Sequence, residues 1–176
     1  MRLERATATD IPLVVALMNR AFRGKGAVPS WNSEAAYIDG DRTSVTLIEA
    51  DLALKPDARL LVVRRDDASP FASVWLEPLG HASWYLGALT VDPAIQNGGI
   101  GDRLLTASEA WVRSRGGDRI RMTVVNVRDG LIAWYLRRGY RRTGETEPFP
   151  YDDSRFGVPL RDDLHFVVLD KPLGGA

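Results

Sequence analysis

The chain has 176 residues, 45% of them hydrophobic and 26% charged, which is typical of a single domain over residues 1–176. The 23 lysines and arginines balance the 23 aspartates and glutamates, so the formal charge is zero. Nucleic-acid binders usually carry a basic excess, and we expect no nucleic-acid partner. The chain has no cysteine and only two histidines, which excludes disulfides and a cysteine nucleophile, and we expect no metal site.

The apolar segments of the sequence are short. The N-terminal one is interrupted by charges and by Pro12, unlike a secretory signal peptide. No segment approaches the roughly 20 apolar residues of a membrane helix. We therefore expect a cytoplasmic protein without a membrane partner.

Strand and helix signals alternate in the first third of the chain. Residues 2–6 alternate as a strand does, and residues 11–22 show an apolar stripe at helical spacing. A loop rich in glycine and proline follows, and Ser33 begins a short helical turn. A second helix is predicted over residues 42–54, and Pro56 prevents it from continuing.

The remaining two thirds contain strands and helices in an order typical of a mixed α/β sheet. Strands are predicted at residues 58–66, 71–78, 82–91, 119–126, 140–146 and 164–170, and helices at residues 100–115 and 129–138. A long polar loop separates the last two strands.

A glycine-rich segment joins the strand at residues 82–91 to the following helix. The sequence Gln96-Asn97-Gly98-Gly99-Ile100-Gly101 stands where that helix begins. The first N–H groups of a helix have no internal partner and carry the positive end of its dipole, so they bind phosphate oxygens. Gly99 and Gly101 also lack the Cβ atoms that would keep a pyrophosphate away. The segment therefore predicts a diphosphate site, although glycines can also form a plain strand-to-helix turn.

Two common phosphate-binding patterns do not fit this segment. No stretch supplies the G-x-x-x-x-G-K-[ST] of a P-loop. The dinucleotide pattern G-x-G-x-x-G needs a third glycine where Leu104 stands, and it follows a strand more directly.

The segment instead resembles the pyrophosphate loop of the GNAT N-acetyltransferase superfamily, [QR]-x-x-G-x-[GA]. Tyr135, with Gly139-Tyr140 after it, resembles the family's Y-x-x-x-G-[FY] pattern. The resemblance is strongest over residues 82–145, and the order of elements matches over nearly the whole chain. It implies a mixed, mostly antiparallel sheet of six or seven strands, flanked by helices and splayed at the acetyl-CoA site.

The resemblance also implies an activity and a set of site residues. Acetyl-CoA would be the cosubstrate, and the acetyl group would pass directly to a primary amine of a small molecule, a peptide or a protein. Tyr135 would be the general acid for the leaving thiolate. Cofactor contacts are implied for Leu89, Thr90, Val91, Gln96, Asn97, Gly98, Gly99, Ile100, Gly101, Asp102 and Asn126. Family members often have an asparagine seven residues before the tyrosine, where this chain has Arg128, so a contact from Asn126 requires a two-residue shift.

The acceptor amine must be neutral to attack, and its pKa is about 10.4 if it is lysine-like, so its proton needs a destination. Candidate bases or acceptor contacts are Glu77, His81, Tyr85 and His165. Ser83, Tyr85, Gly87 and Leu89 would share one strand face by the period of two.

We expect residues 23–41 and 148–163 to wall the acceptor pocket. Their aromatic and acidic composition suits a small cationic or amphipathic amine, which the four aspartates at 152, 153, 162 and 163 would attract. A homodimer is common in the resembled family. The competing hypothesis is a non-catalytic acyl-CoA sensor, which would keep residues 96–101 but would not need Tyr135.

Overall fold

The computed structural model describes residues 1–24, 26, 28–95 and 98–174. In its N-terminal part, strand β1 (Glu4–Arg5) leads into helix α1 (Ile11–Arg23), which has Pro12 in its first turn and ends at Gly24 in the left-handed region. A short strand β2 (Ile38–Asp39) and helix α2 (Val45–Leu54) follow. Helix α2 begins later than predicted because the Ser44 side chain caps it, accepting a hydrogen bond from the Leu47 amide.

The central part of the chain supplies the middle of a sheet. Strands β3 (Arg59–Arg64), β4 (Pro70–Gly80) and β5 (Ser83–Val91) form a meander, and a 3₁₀ turn then precedes helix α3 (Ile100–Arg113). Strand β6 (Arg119–Val125), helix α4 (Asp129–Leu136) and strand β7 (Arg141–Pro148) come next. A short strand β8 (Val158–Pro159) and the last strand β9 (His165–Pro172) complete the order.

Seven of the strands form one sheet in the order β1-β3-β4-β5-β6-β9-β7. The pair β5 and β6 is parallel, and the other neighbours are antiparallel. The mixed, mostly antiparallel sheet predicted from the sequence is therefore confirmed. Strands β2 and β8 pair separately. We did not predict either of them, because two residues are too few to show alternation.

Helices cover both faces of the sheet. Buried residues of α3 and α4, such as Leu104 and Ile132, pack in one cluster with Leu86 and Met122. Residues of α1 and α2 pack in a second cluster on the opposite face, with Leu60 and Val62 of β3. A third, smaller cluster joins β2, the loop after β7 and the ends of β6 and β9.

Strand β5 contains a bulge that changes which side its residues face. Trp75 pairs with Gly87 and Ser73 pairs with Thr90, so two residues of β5 oppose Val74 alone. Ala88, at φ 47°, therefore packs with the α1 side and Leu89 packs with the α3 side. The prediction that Leu89 shares a face with Tyr85 was wrong, because the extra residue reverses the alternation.

The sheet opens beside this bulge. Strand β5 pairs with β6 only at Ser83–Arg119, Trp84–Ile120 and Tyr85–Arg121. From Leu86 onward, β5 pairs with β4 alone, while β6 continues its pairing with β9 through Val125. The predicted splay is thus present, and it leaves one edge of β5 facing a cleft.

Candidate active site in the opening between β5 and β6

The opening between β5 and β6 is part of a cleft of about 910 Å³, which is in the usual range for small-molecule sites. Its two walls are the separating strands. The start of α3 lines one part of the cleft, which we call the α3 end, and the segments after α1 and β7 line another, which we call the far end. Lining residues from the five regions include Leu89, Met122, Gly99, Asn32 and Phe156.

The end of the cleft at α3 exposes main-chain donors. The first helical hydrogen bond of α3 runs from the Arg103 amide to the Gly99 carbonyl at 3.1 Å, so the amides of residues 100–102 have no partner within the helix. The N-cap residue is Gly99, which has no side chain that could cap the helix. Gly99 has a φ of 69°, a backbone conformation that residues other than glycine rarely adopt. Gln96 and Asn97, the first residues of the predicted loop, lie outside the described residues.

Gly99, Gly101 and Asp102, which follow Gly98, differ in their surroundings. A Cβ at Gly99 would meet nothing within 4 Å, whereas a Cβ at Gly101 would lie 3.6 Å from Cζ2 of Trp134. Gly101 therefore makes room for the Trp134 ring of α4, in addition to lining the cleft. The Asp102 carboxylate accepts a hydrogen bond from Nε of Arg138 at 2.6 Å, and that guanidinium also stacks on Trp134.

Beyond Tyr85, the edge of β5 that no longer pairs with β6 borders the middle of the cleft. Leu89 and Val91 line it. Thr90 is fully buried, and its hydroxyl donates to the Ala88 carbonyl at 2.8 Å. Its side chain is therefore engaged within the strand.

Tyr135 of α4 lines the same cleft and is 6% exposed. Its ring makes edge contacts with Trp134 and Tyr140. Burial raises the pKa of Tyr135 above its usual value of 10, while the positive charge of Arg128 opposes the shift. The hydroxyl therefore keeps its proton at neutral pH.

Tyr140, four residues after Leu136, provides a contrast to Tyr135. It is also buried, but its hydroxyl donates to the Glu109 carboxylate, which Lys171 binds as well. Tyr140 is not among the cleft residues. Its role is to pack α3 against the sheet.

Of the four candidate bases, Tyr85 is the one that lines the cleft. Its hydroxyl lies 3.2 Å from Oγ1 of Thr123, so the side chain crosses from β5 to β6 at the point where the strands separate. Gly87 makes this possible, since a Cβ there would lie 2.6 Å from Cε1 of Tyr85. The sequence carried a signal for this role, a glycine within a strand two residues from an aromatic.

The other candidate bases lie elsewhere. Glu77 accepts hydrogen bonds from Lys55 and from the Trp75 indole. His81 is exposed at the turn between β4 and β5. His165, at the start of β9, pairs with Pro148. None of the three lines the cleft.

Asn126 and Arg128 both have protein partners. The Asn126 side chain donates to the Asp163 carbonyl and accepts from the His165 amide, each at 3.0 Å, and it does not line the cleft. Arg128 lines the cleft, and its guanidinium donates to the Asn32 carbonyl at 3.0 Å. The asparagine thus holds the start of β9, and the arginine holds the segment after α1.

The far end of the cleft contains a charged cluster that the sequence did not predict. Glu34 forms ion pairs with Arg23, with Arg128 at 3.4 Å and with Arg42 at 4.0 Å. Arg23 and Glu34 are both buried, and burial lowers the pKa of Arg23 while the Glu34 carboxylate opposes that shift. These residues lie far apart in sequence, so no local pattern could have indicated them.

The sequence model described as the acetyltransferase (GNAT) family matches residues 18–140, well over half of the chain. The chain belongs to this family. No curated protein sequence matches the chain. The family resemblance predicted from Tyr135 and the glycine segment is therefore confirmed, independently of the roles of individual residues.

Solved structures of similar fold include several N-acetyltransferases. A Staphylococcus aureus Mu50 N-acetyltransferase has a TM-score of 0.69 at 13% identity, with 98% of each chain covered. A ribosomal-protein-alanine N-acetyltransferase from Brucella melitensis has a TM-score of 0.68 at 18% identity, covering 98% of this chain and 99% of the other. A GNAT acetyltransferase from Elizabethkingia anophelis with acetyl-CoA bound has a TM-score of 0.61 at 17% identity, covering 73% and 83%. The TM-scores of these structures show that they share the fold of this chain.

Among the described residues, no helix has both the length and the apolar character that crossing a membrane requires.

Proposed function

We propose that this protein is an N-acetyltransferase that moves an acetyl group from acetyl-CoA directly to a primary amine of a small molecule, a peptide or a protein. The observation that carries the proposal is one cleft that contains main-chain amides without a partner in α3, the edge of β5 where pairing with β6 has stopped, and the protonated hydroxyl of Tyr135. Family membership supports it, since it restricts the chemistry to acyl transfer.

The residues present fit acetyl-CoA. The amides of residues 100–102 are placed to donate to its diphosphate, at the positive end of the α3 dipole. The edge of β5 beyond Tyr85, where pairing with β6 has stopped, is placed to hydrogen bond with its pantetheine arm, as an added strand would. When bound, acetyl-CoA supplies an activated acyl thioester. A related structure of this fold contains acetyl-CoA, which supports the same choice here.

Tyr135 is the proposed general acid. A group that holds its proton at neutral pH, and whose ring lines the cleft, is suited to donate that proton as a thiolate leaves. Tyr85, at the point where the strands separate, is the proposed contact for the acceptor amine. Glu77, His81 and Asn126 receive no role in this proposal, because their side chains do not line the cleft.

The proposal is tested by measuring CoA release with a thiol-detecting reagent over a panel of amines. The protein has no cysteine, so it contributes no background. We expect release with at least one amine. We expect Tyr135→Phe to lower kcat about 10²- to 10⁴-fold, with little change in affinity for acetyl-CoA, because only proton transfer is lost.

Tyr140→Phe is the matched control, since it removes a hydroxyl from the adjacent buried tyrosine, which contacts Glu109 instead of the cleft. We expect its kcat to be unchanged. An equal kcat for Tyr135→Phe and the unaltered protein would refute the acid role. Tight binding of acetyl-CoA without release from any amine would favour the sensor hypothesis.

A further inference from the structure

The charged cluster at the far end of the cleft has more positive than negative charge. Three guanidinium groups, of Arg23, Arg42 and Arg128, surround the single carboxylate of Glu34. All four residues line the cleft. Since one carboxylate neutralises one guanidinium, the cluster presents an excess of positive charge to whatever enters this end.

Two of the arginines donate hydrogen bonds that hold the walls together. Arg23 donates to Glu34 and, through Nη2, to the Phe156 carbonyl at 3.0 Å. Arg128 donates to both the carbonyl and the side chain of Asn32. Each links the segment after α1 to another part of the cleft wall. Their hydrogen bonds hold segments of the protein together, but their positive charges still act on a molecule in the cleft.

Arg42 differs from the other two. Its nearest carboxylate oxygen is that of Glu34, at 4.0 Å from Nε, and within the described part of the chain its guanidinium makes no hydrogen bond. The side chain is 29% exposed and stacks on the ring of Phe22, which also lines the cleft. Arg42 is therefore held in place by stacking and by its ion pair with Glu34, and no described residue accepts a hydrogen bond from its guanidinium.

Among the described residues, no carboxylate other than that of Glu34 pairs with the three arginines of this cluster. Asp153 and Asp163 pair with Arg155 and Arg161 of their own loop, and none of the four loop aspartates lines the cleft. Asp129 and Glu147 do line the cleft, but neither forms an ion pair with the three arginines. The sequence-based expectation of an acidic wall that attracts a cationic amine therefore finds no support in the cleft.

The cluster lies across the sheet from the diphosphate site. Arg23 ends α1, which packs on one face of the sheet, and the amides of residues 100–102 begin α3, which packs on the other face. A ligand group bound by the cluster therefore belongs to the molecule that enters from the α1 side, opposite the α3 side.

We propose that the acceptor carries a carboxylate close to its amine, as an amino acid does, and that Arg42 binds this carboxylate. The inference rests on the proposed acetyl transfer. A guanidinium matches a carboxylate in a two-point hydrogen bond, and the surplus charge behind Arg42 strengthens the attraction. The same positive charge disfavours an ammonium ion and so favours the neutral amine that must attack.

The test compares amino acids with their α-carboxamides, which keep the amine and side chain but remove the negative charge. Phenylalanine, leucine, glutamate and lysine, each with its carboxamide, are assayed for CoA release. We expect kcat/KM for the best acid to exceed that of its amide by about 10- to 100-fold, the range for one charged hydrogen-bonding pair. Amides that react as well as the acids would overturn the inference and leave acetyl transfer intact.

Arg42→Gln should remove most of this preference. We expect kcat/KM for the acid to fall about tenfold or more, with that for the amide and the KM for acetyl-CoA nearly unchanged. Arg161→Gln is the matched control, since it removes the same charge from the exposed loop outside the cleft. An undiminished preference in Arg42→Gln would overturn the assignment of this residue.

A binding measurement separates failure of this inference from failure of the proposed reaction. The same acids and amides are titrated calorimetrically into protein saturated with CoA. Acid binding that Arg42→Gln abolishes, without CoA release in the assay, would refute the reaction but uphold the carboxylate site. Absence of both binding and release would refute both.

Discussion

The two ends of the cleft offer different kinds of chemical group to a ligand. At the α3 end, the groups offered to a ligand are amides of residues 100–102, fixed by the geometry of a helix start. At the other end they are side-chain charges from Arg23, Glu34, Arg42 and Arg128, brought together from three separate segments. The first end depends on main-chain geometry, whereas the second depends on the identity of side chains that lie far apart in sequence.

The arginine end should be the more sensitive to loss of one side chain. Glu34→Gln leaves three guanidinium groups without their shared carboxylate, and one of them is buried. We expect the free energy of unfolding to fall by about 3–5 kcal/mol in urea denaturation. Glu145→Gln is the control, since its pair with Arg121 is exposed, and stability should hardly change. Equal effects of the two substitutions would contradict the buried role of Glu34.

A substitution at Gly87 tests the packing of the Tyr85 ring at the point where β5 and β6 separate. In Gly87→Ala the new Cβ would lie 2.6 Å from the Tyr85 ring, which must move away from Thr123. We expect a loss of about 1–3 kcal/mol in unfolding free energy and a lower kcat/KM for the amine. The cost should largely disappear when Tyr85→Ala is also present. The same cost in both backgrounds would show that the Tyr85 ring is not the reason for the glycine.

The smallest change in stability is expected at the glycine end. Gly99 adopts a φ of 69°, so Gly99→Val should cost about 1–2 kcal/mol in stability or shift the start of α3. We expect the KM for acetyl-CoA to rise and that for the amine to stay nearly constant. Gly99→Asn should have a weaker effect, because asparagine tolerates this conformation better. A rise confined to the KM of the amine would contradict the assignment of this end.

The same contrast explains what the sequence could predict. The order of strands and helices, the start of α3 and the choice of Tyr135 as a candidate follow from periodicity and from motifs that are contiguous in sequence. The fold and family predictions are confirmed. The bulge at Ala88 was missed because one extra residue leaves no pattern in a short strand. The cluster around Glu34 was missed because its members meet only after the chain has folded.

Hydrogen exchange with and without acetyl-CoA tests the central claim most directly, because the claim concerns main-chain amides. Saturating acetyl-CoA should slow exchange at residues 86–91 of β5 and at residues 100–102 of α3. Residues 83–85, which already pair with strands on both sides, should change little. Unchanged exchange in both segments, with well-folded protein at saturating acetyl-CoA, would contradict the account.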